Sequence, residues 1–217
     1  MKEKYLSIIT NFGCHGKCPY YIVRENGIRV PKTSIGSLTA LSDAIDQTGA
    51  TIVSVSGGGD PLHRYETNIS SIVYYKNLLD ILYTKGIPLE MHTSYFDSTF
   101  PFGECARVVY HLLDPRDITK IRRRKNEIVR VVFVATHWLD TYTIDWIANY
   151  VRASDQIDEL SFRQMVDNNY EAQHYNEEHL EKYHGIKWHY IKQADYNLYF
   201  VEGKIYTHFK DIEEATY

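Results

Sequence analysis

Six short β-prone segments, separated by helical or turn-forming segments, dominate residues 5–166 of this chain. They are rich in β-branched and aromatic residues and cover residues 5–9, 51–56, 87–94, 106–113, 128–136 and 159–166. Between several of them, apolar residues recur at helical spacing, as along residues 68–85 and 143–154. Parallel neighbouring strands need crossovers of about this length, so the alternation predicts βαβ units and a parallel sheet. Six such strands suit either an open barrel or a doubly wound sheet.

The length and composition are those of one globular domain with an extension. The chain has 217 residues, of which 44% are apolar and 24% are charged. No apolar run approaches the roughly 20 residues that span a bilayer, and the N-terminus has no secretory pattern, so we expect a cytoplasmic protein and no membrane partner. The net charge of -4 argues against a dedicated nucleic-acid binder. We expect residues 167–217 to pack as a C-terminal extension on a main domain of residues 1–166.

Two of the three cysteines lie on one loop directly after the first strand. Cys14 and Cys18 are four positions apart within residues 10–22, whereas Cys105 is isolated. An odd number of cysteines in this arrangement does not resemble a disulfide framework. A loop of this kind directs two thiolates toward one metal centre.

Two further polar segments follow predicted strands. Gly57-Gly58-Gly59-Asp60-Pro61 comes directly after the second strand, and Thr93-Ser94 ends the third. Taken alone, three glycines indicate a tight turn and Thr93-Ser94 a helix cap. In parallel α/β folds, however, ligands bind at the C-terminal ends of the strands, where the cysteine loop also lies. The common position of the three segments therefore predicts one binding site.

These segments resemble the signature of the radical S-adenosylmethionine family over roughly residues 5–166. Cys14, Cys18 and Tyr20 match the first part of its Cys-x3-Cys-x-aromatic-Cys motif, and Gly58-Gly59-Asp60-Pro61 is similar to its Gly-Gly-Glu-Pro loop. The resemblance implies an α/β fold of the open, partial (β/α)6 TIM-type barrel kind, with a C-terminal α/β appendage. It also implies an enzyme that uses a 4Fe-4S cluster and S-adenosylmethionine to make a 5′-deoxyadenosyl radical, which abstracts hydrogen from a substrate.

The resemblance also assigns roles to individual positions. Cys14 and Cys18 would bind iron. The cofactor-binding residues would be Tyr20, Gly58, Gly59, Asp60, Ser94 and Arg163. Of these, the Gly58-Gly59-Asp60 loop would meet the amino group of S-adenosylmethionine, the backbone at Tyr20 the adenine, and Ser94 the ribose or carboxylate. The implied partners are a small-molecule or nucleotide substrate and a reductant such as flavodoxin or ferredoxin.

Position 21 departs from the family pattern, because Tyr21 stands where the third cysteine is expected. A phenol is a poor replacement for a thiolate on a soft iron site. The cluster would then bind weakly, recruit another ligand such as His15 or Cys105, or be absent. The alternative function is therefore a non-catalytic or regulatory protein that lost the cluster and kept the nucleoside pocket.

Two other hypotheses rest on weaker patterns. Cys14, Cys18 and histidines would form a zinc site, although no second cysteine pair supports it. Arg122-Arg123-Arg124-Lys125 would contact the phosphates of a nucleotide or RNA. A solvated, charged helix end explains this basic segment more simply, given the acidic overall balance.

Overall fold

Ten strands form one sheet in the computed structural model, which describes residues 3–16, 18, 30–167, 169, 171–182, 185–192, 198–209 and 211–214. The strands are β1 (Tyr5–Thr10), β2 (Ile52–Gly57), β3 (Leu89–Thr93), β4 (Arg107–His111), β5 (Ile128–Ala135), β6 (Glu159–Val166), β7 (Ala172–Gln173), β8 (Trp188–Ile191), β9 (Leu198–Val201) and β10 (Lys204–Tyr206). The helices are α1 (Leu41–Thr48), α2 (Ile69–Lys85), α3 (Thr141–Ala153), α4 (Glu177–Leu180) and α5 (Asp211–Glu214). None of these described helices is long and apolar enough to cross a bilayer.

Strands β1 to β6 lie side by side in chain order, and every neighbouring pair among them is parallel. The prediction of an α/β fold with a parallel sheet is therefore confirmed. The C-terminal segment adds strands at both edges. β9 pairs in parallel with β1 and turns back into β10, whereas β8 pairs in parallel with β6. The hairpin between β9 and β10 turns at Glu202 and Gly203, both at positive φ, as this turn requires.

Three helices connect strands at nearly the predicted positions: α1 links β1 to β2, α2 links β2 to β3, and α3 links β5 to β6. Asn68 caps α2 by accepting hydrogen bonds from two backbone N–H groups, and Asp140 caps α3 by accepting one. The predicted alternation does not hold between β3 and β5, where the connections carry only the 3-10 turns Phe102–Glu104 and Pro115–Lys120. Between β3 and β4, Phe100 and Phe102 are buried in the hydrophobic core without a helix.

The two faces of the parallel strands differ in chemistry. The outer face packs against the helices and is apolar; it includes Leu6, Val53, Met91, Val108, Val131 and Leu160. The alternate residues form what we call the inner face, which includes Ser7, Ser54, Glu90, His92, Arg107, His111, Arg130, Glu159, Ser161 and Arg163. Strand register aligns several of them across the sheet, since Ser7 pairs with Ser54, Ser54 with Glu90, and Glu90 with Arg107.

Chain connectivity shows that the sheet is curved. β8 and β9 lie at opposite edges, and only residues 192–197 join Ile191 to Leu198. A chain of that length spans at most about 25 Å. In a flat sheet, the seven steps from β8 across to β9 would separate these strands by about 33 Å. The two edges must therefore approach each other. The inner face is the concave one, as the hydrogen bond of 3.0 Å from Arg107 on β4 to the hydroxyl of Tyr5 on β1 indicates.

Candidate functional site

The cysteine loop brings two thiols to the same place. The Sγ atoms of Cys14 and Cys18 each lie 3.5 Å from the point that a Cβ atom would occupy on Gly16, so they are separated by at most twice that distance. The backbone N–H of Gly16 donates a hydrogen bond of 3.3 Å to the Cys14 Sγ. Cys14 is exposed and Cys18 half-buried. The pair is thus accessible and close together on one loop.

The glycine loop after β2 touches the backbone of the cysteine loop. The N–H of Asp60 donates to the carbonyl oxygen of Gly13 at 3.0 Å. A Cβ atom on Gly59 would lie 2.2 Å from that same oxygen, and one on Gly58 would lie 2.5 Å from Val30. Glycine is therefore required at position 59 for close packing of the two loops and at position 58 for packing against Val30, whatever the loops bind.

Asp60 links this loop to the end of β3. Its carboxylate is buried, at 6% exposure. Oδ1 accepts hydrogen bonds from the N–H of Leu62 (3.0 Å) and the hydroxyl of Thr93 (2.8 Å). Oδ2 accepts from the N–H (2.7 Å) and the hydroxyl (2.6 Å) of Ser94. Four donors occupy the roughly four lone-pair sites of a carboxylate, so Asp60 already acts as a positioning residue. Its contact with a cofactor stays a prediction.

Three aromatic rings surround this junction. The rings of His15 and Tyr95 lie 4.3 Å apart, and the Tyr95 hydroxyl lies 3.0 Å from Nδ1 of His63. Burial lowers the pKa of His63, and Arg64 and His15 lower it further. Nε2 of His15 lies 3.5 Å from the Ser94 hydroxyl. His63 and Tyr95 are not among the predicted site residues, although both follow shortly after a strand end, which was the available signal.

The structure thus brings Cys14, Cys18, Gly58, Gly59, Asp60 and Ser94 together at the C-terminal ends of β1, β2 and β3. Arg163 lies elsewhere on the inner face, on β6 and four strands away from β2. Tyr20 and Tyr21 lie outside the described residues.

Cys105 lies two residues before β4, so it is at the N-terminal ends of the strands, whereas the cysteine loop is at their C-terminal ends. Cys105 is 5% exposed. Burial raises the pKa of its thiol. Cys105 is therefore not positioned as a third ligand for Cys14 and Cys18. Among the described residues, no three His, Cys, Asp or Glu side chains are arranged to hold a metal ion, so the zinc hypothesis gains no support.

The basic segment at residues 122–125 also lies at the N-terminal ends of the strands, just before β5. Arg123 pairs with Asp158 at 2.7 Å, and Arg124 donates to the carbonyl oxygen of Phe96 at 2.7 Å. Arg122 donates to the carbonyl oxygens of Thr119 and Ile121. These contacts hold the local loop, which favours the structural explanation over phosphate binding.

The inner face carries a buried charge network that sequence analysis missed. Nη1 of Arg107 donates to Glu90 at 2.7 Å, and its Nε lies 3.3 Å from Oε2 of Glu159. Arg130 donates to that same oxygen of Glu159 at 2.6 Å, and Lys187 forms an ion pair with the other oxygen. Burial opposes ionisation of Glu90, but hydrogen bonds from His92 and Arg107 outweigh it and lower the pKa of this carboxyl to about 2.

Two histidines extend this network toward the site. Nε2 of His92 lies 2.8 Å from Oε1 of Glu90, and Nδ1 of His92 lies 2.8 Å from Nε2 of His111. His92 is two residues before Ser94, and His111 is the last residue of β4. The network therefore runs from the middle of the sheet to the C-terminal end of β4.

Comparisons with known proteins support the fold but not the function. No family model and no curated protein matches the sequence. A crystal structure of Streptococcus suis SuiB bound to the precursor peptide SuiA is similar, with a TM-score of 0.57 and 14% identity over 87% of this chain and 48% of SuiB. At this level of similarity the two chains share a fold. The chain spans about half the length of SuiB.

Proposed function

We propose that this chain is a radical S-adenosylmethionine enzyme in which Cys14 and Cys18 bind the iron of a 4Fe-4S cluster. The observation that carries the proposal is the meeting of these two thiols with the glycine loop and Ser94 at one end of the parallel strands. Thiolates are the ligands that iron–sulfur clusters take from proteins. When bound, the reduced cluster would supply the electron that cleaves S-adenosylmethionine and starts hydrogen abstraction from the substrate.

The protein residues would bind and orient the cofactor. The close packing of Gly59 on Gly13 leaves the loop backbone next to the cysteines. Asp60 accepts hydrogen bonds from the N–H and the hydroxyl of Ser94. The Ser94 side chain would therefore face the cofactor in one orientation. We further propose that the curved sheet is an open, partial (β/α)6 barrel whose concave inner face receives the substrate. Its limits would be residues 1–166, with residues 167–217 as an extension packed on it.

The expected partners are a small-molecule or nucleotide substrate and a flavodoxin or ferredoxin as reductant, in the cytoplasm. Because the SuiB structure contains a precursor peptide, a peptide is a further substrate class to include in substrate screens.

Anaerobic reconstitution with iron and sulfide tests the proposal. We expect a Tyr21→Cys variant to bind more iron and sulfide per chain than the native chain, because it restores the third thiolate of the family motif. Cys14→Ala should lose the visible charge-transfer absorbance, whereas Cys105→Ala, a matched cysteine far from the loop, should not. Failure of both the native chain and Tyr21→Cys to assemble a cluster would refute the iron–sulfur proposal.

A second candidate function is a cluster-free binding protein. The observation that favours it is the fully bonded Asp60 carboxylate, which gives the glycine loop its shape without any ligand. Calorimetric titration of the metal-free chain with S-adenosylmethionine separates the two functions. Tight binding by the metal-free native chain, together with no cluster in the native chain after reconstitution, would favour the binding protein.

A further inference from the structure

The hydrogen bonds of the histidine pair define a direction for proton movement. Glu90 is ionised, because the pKa of this carboxyl is about 2, and a carboxylate only accepts hydrogen bonds. Nε2 of His92 must therefore carry the proton that it shares with Glu90. In the neutral His92 ring, Nδ1 then lacks a proton and accepts from Nε2–H of His111. That assignment leaves Nδ1 of a neutral His111 as an unprotonated nitrogen.

The surroundings of the pair oppose a positive charge on His111. Burial, His92 and Arg163 all oppose a positive charge on His111 and hold its pKa well below the ordinary value, while Glu90 favours the charge only weakly. A proton on His92 lies directly against the Glu90 carboxylate, whose other oxygen is bonded to Arg107. A proton that arrives at His111 is therefore driven inward along the pair.

The position of His111 at the end of β4 places this member of the pair near the proposed site. His111 is partly exposed and ends β4, the neighbour of the strand that leads into Ser94. His92 and Glu90 lie deeper, on the concave inner face. Because Thr93 pairs with Tyr110, the accepting end of the pair lies beside Ser94, at the C-terminal ends of β3 and β4.

We propose that His111 is the proton acceptor for the substrate and that His92 and Glu90 form a relay that carries the proton away. This inference rests on the proposed function, and it adds a substrate class: a molecule with an O–H or N–H group beside the carbon that loses hydrogen. The O–H or N–H bond breaks, its electron pair stays on the substrate, and the proton forms a new bond to Nδ1 of His111. The Nε2 proton of His111 then passes to Nδ1 of His92. The product is an imidazolium paired with Glu90, and no electron is transferred in this step.

Ring nitrogen NMR of the metal-free chain tests the relay without iron or cofactor. We expect a protonated Nε2 and an unprotonated Nδ1 on both rings at neutral pH. On acidification, the first proton taken up should appear on His92. Glu90→Gln should weaken proton binding by the pair at least tenfold. His189→Gln, on the same inner face but outside the pair, should leave this titration unchanged. If Glu90→Gln does not fold, His92→Gln, whose side chain cannot be protonated, should abolish the first proton uptake of the pair, which the relay assigns to His92.

Diethyl pyrocarbonate labelling tests whether substrate can reach His111. The reagent attacks unprotonated imidazole nitrogen, so we expect His111 to be modified in the folded chain at neutral pH. Labelling of His111 only after unfolding would make the pair a sealed structural contact and overturn the proposal. A first proton that stays on His111, or a protonated Nδ1 on neutral His111, would overturn it as well. Because both readouts use the metal-free chain, a failed cluster reconstitution refutes the proposed enzyme separately from the relay.

Discussion

The outer and inner faces of the same parallel strands are built on different principles. On the outer face, Leu6, Val53 and Met91 are fully buried against helices, and no charge interrupts them. On the inner face, Glu90 and Arg107 are also buried, at 4% and 7% exposure. The first face is stabilised by removal of apolar area from water, whereas the second depends on specific pairs of charges.

This difference teaches which face the fold needs and which face a function would need. Removing an ion from water costs several kcal/mol, and a buried ion pair recovers that cost only with good geometry. Parallel sheets are commonly apolar on both faces. An inner face rich in ions and histidines is therefore not required for folding, which fits its proposed role in handling a substrate.

The largest effect is expected from Arg107→Met, which removes the cation between two buried carboxylates. Glu90 and Glu159 would each lose an ion-pair partner, and breaking a buried pair in this way costs about 3–5 kcal/mol. Urea unfolding followed by circular dichroism measures the loss. Arg116→Met is the matched control, because Arg116 is exposed and its ion pair with Asp114 lies at the surface, where such pairs contribute little, so the midpoint should stay nearly unchanged. Equal midpoints for both variants would mean that the inner network contributes nothing.

The second prediction concerns backbone packing at the proposed site. Gly59→Ala would place a Cβ atom 2.2 Å from the carbonyl oxygen of Gly13, and overpacking of this kind costs about 1–3 kcal/mol. We expect reduced stability together with reduced iron binding after reconstitution, because the cysteine loop must shift. At Gly36, the nearest atom to an added Cβ is 3.9 Å away, so Gly36→Ala should preserve both. Normal iron binding by Gly59→Ala would show that the two loops are not coupled.

Sequence patterns predicted the apolar strands and the residues at the C-terminal ends of β1 to β3 better than they predicted the contacts of the inner face. Apolar runs such as residues 51–56 identify strands directly, and glycine or cysteine after a strand marks a ligand-binding end. In contrast, Glu90, His92 and Arg107 look like ordinary solvent-facing residues of alternating strands. Only strand register shows that they face one another. Asp60 was likewise found by its position, but its four hydrogen-bond donors depend on the approach of two loops and β3.

The third prediction is that the contribution of the inner face to folding stability decreases in acid. Because the pKa of His111 in the folded chain is well below its ordinary value of 6.5, the unfolded chain binds more protons between these two values. Stability should therefore fall as the pH drops below about 6.5, by up to about 1.4 kcal/mol per pH unit. His111→Gln should flatten this slope in denaturation curves recorded from pH 7.5 to 5. An unchanged slope would show that His111 does not titrate differently on folding.

The smallest effect is expected on the layer that covers the outer face. The side chain of Asn68 accepts hydrogen bonds from the N–H groups of Ser70 and Ser71 at the start of α2. Asn68→Ala should cost about 1 kcal/mol, since it leaves these helix-end donors without their cap. Asn77→Ala, an exposed position within the same helix, should be neutral or slightly stabilising, because alanine has the higher helix propensity. Neither variant should alter the histidine titration of the inner face. If Asn68→Ala did change it, the two faces would not be energetically separate, and the contrast between them would have to be replaced by a single coupled core.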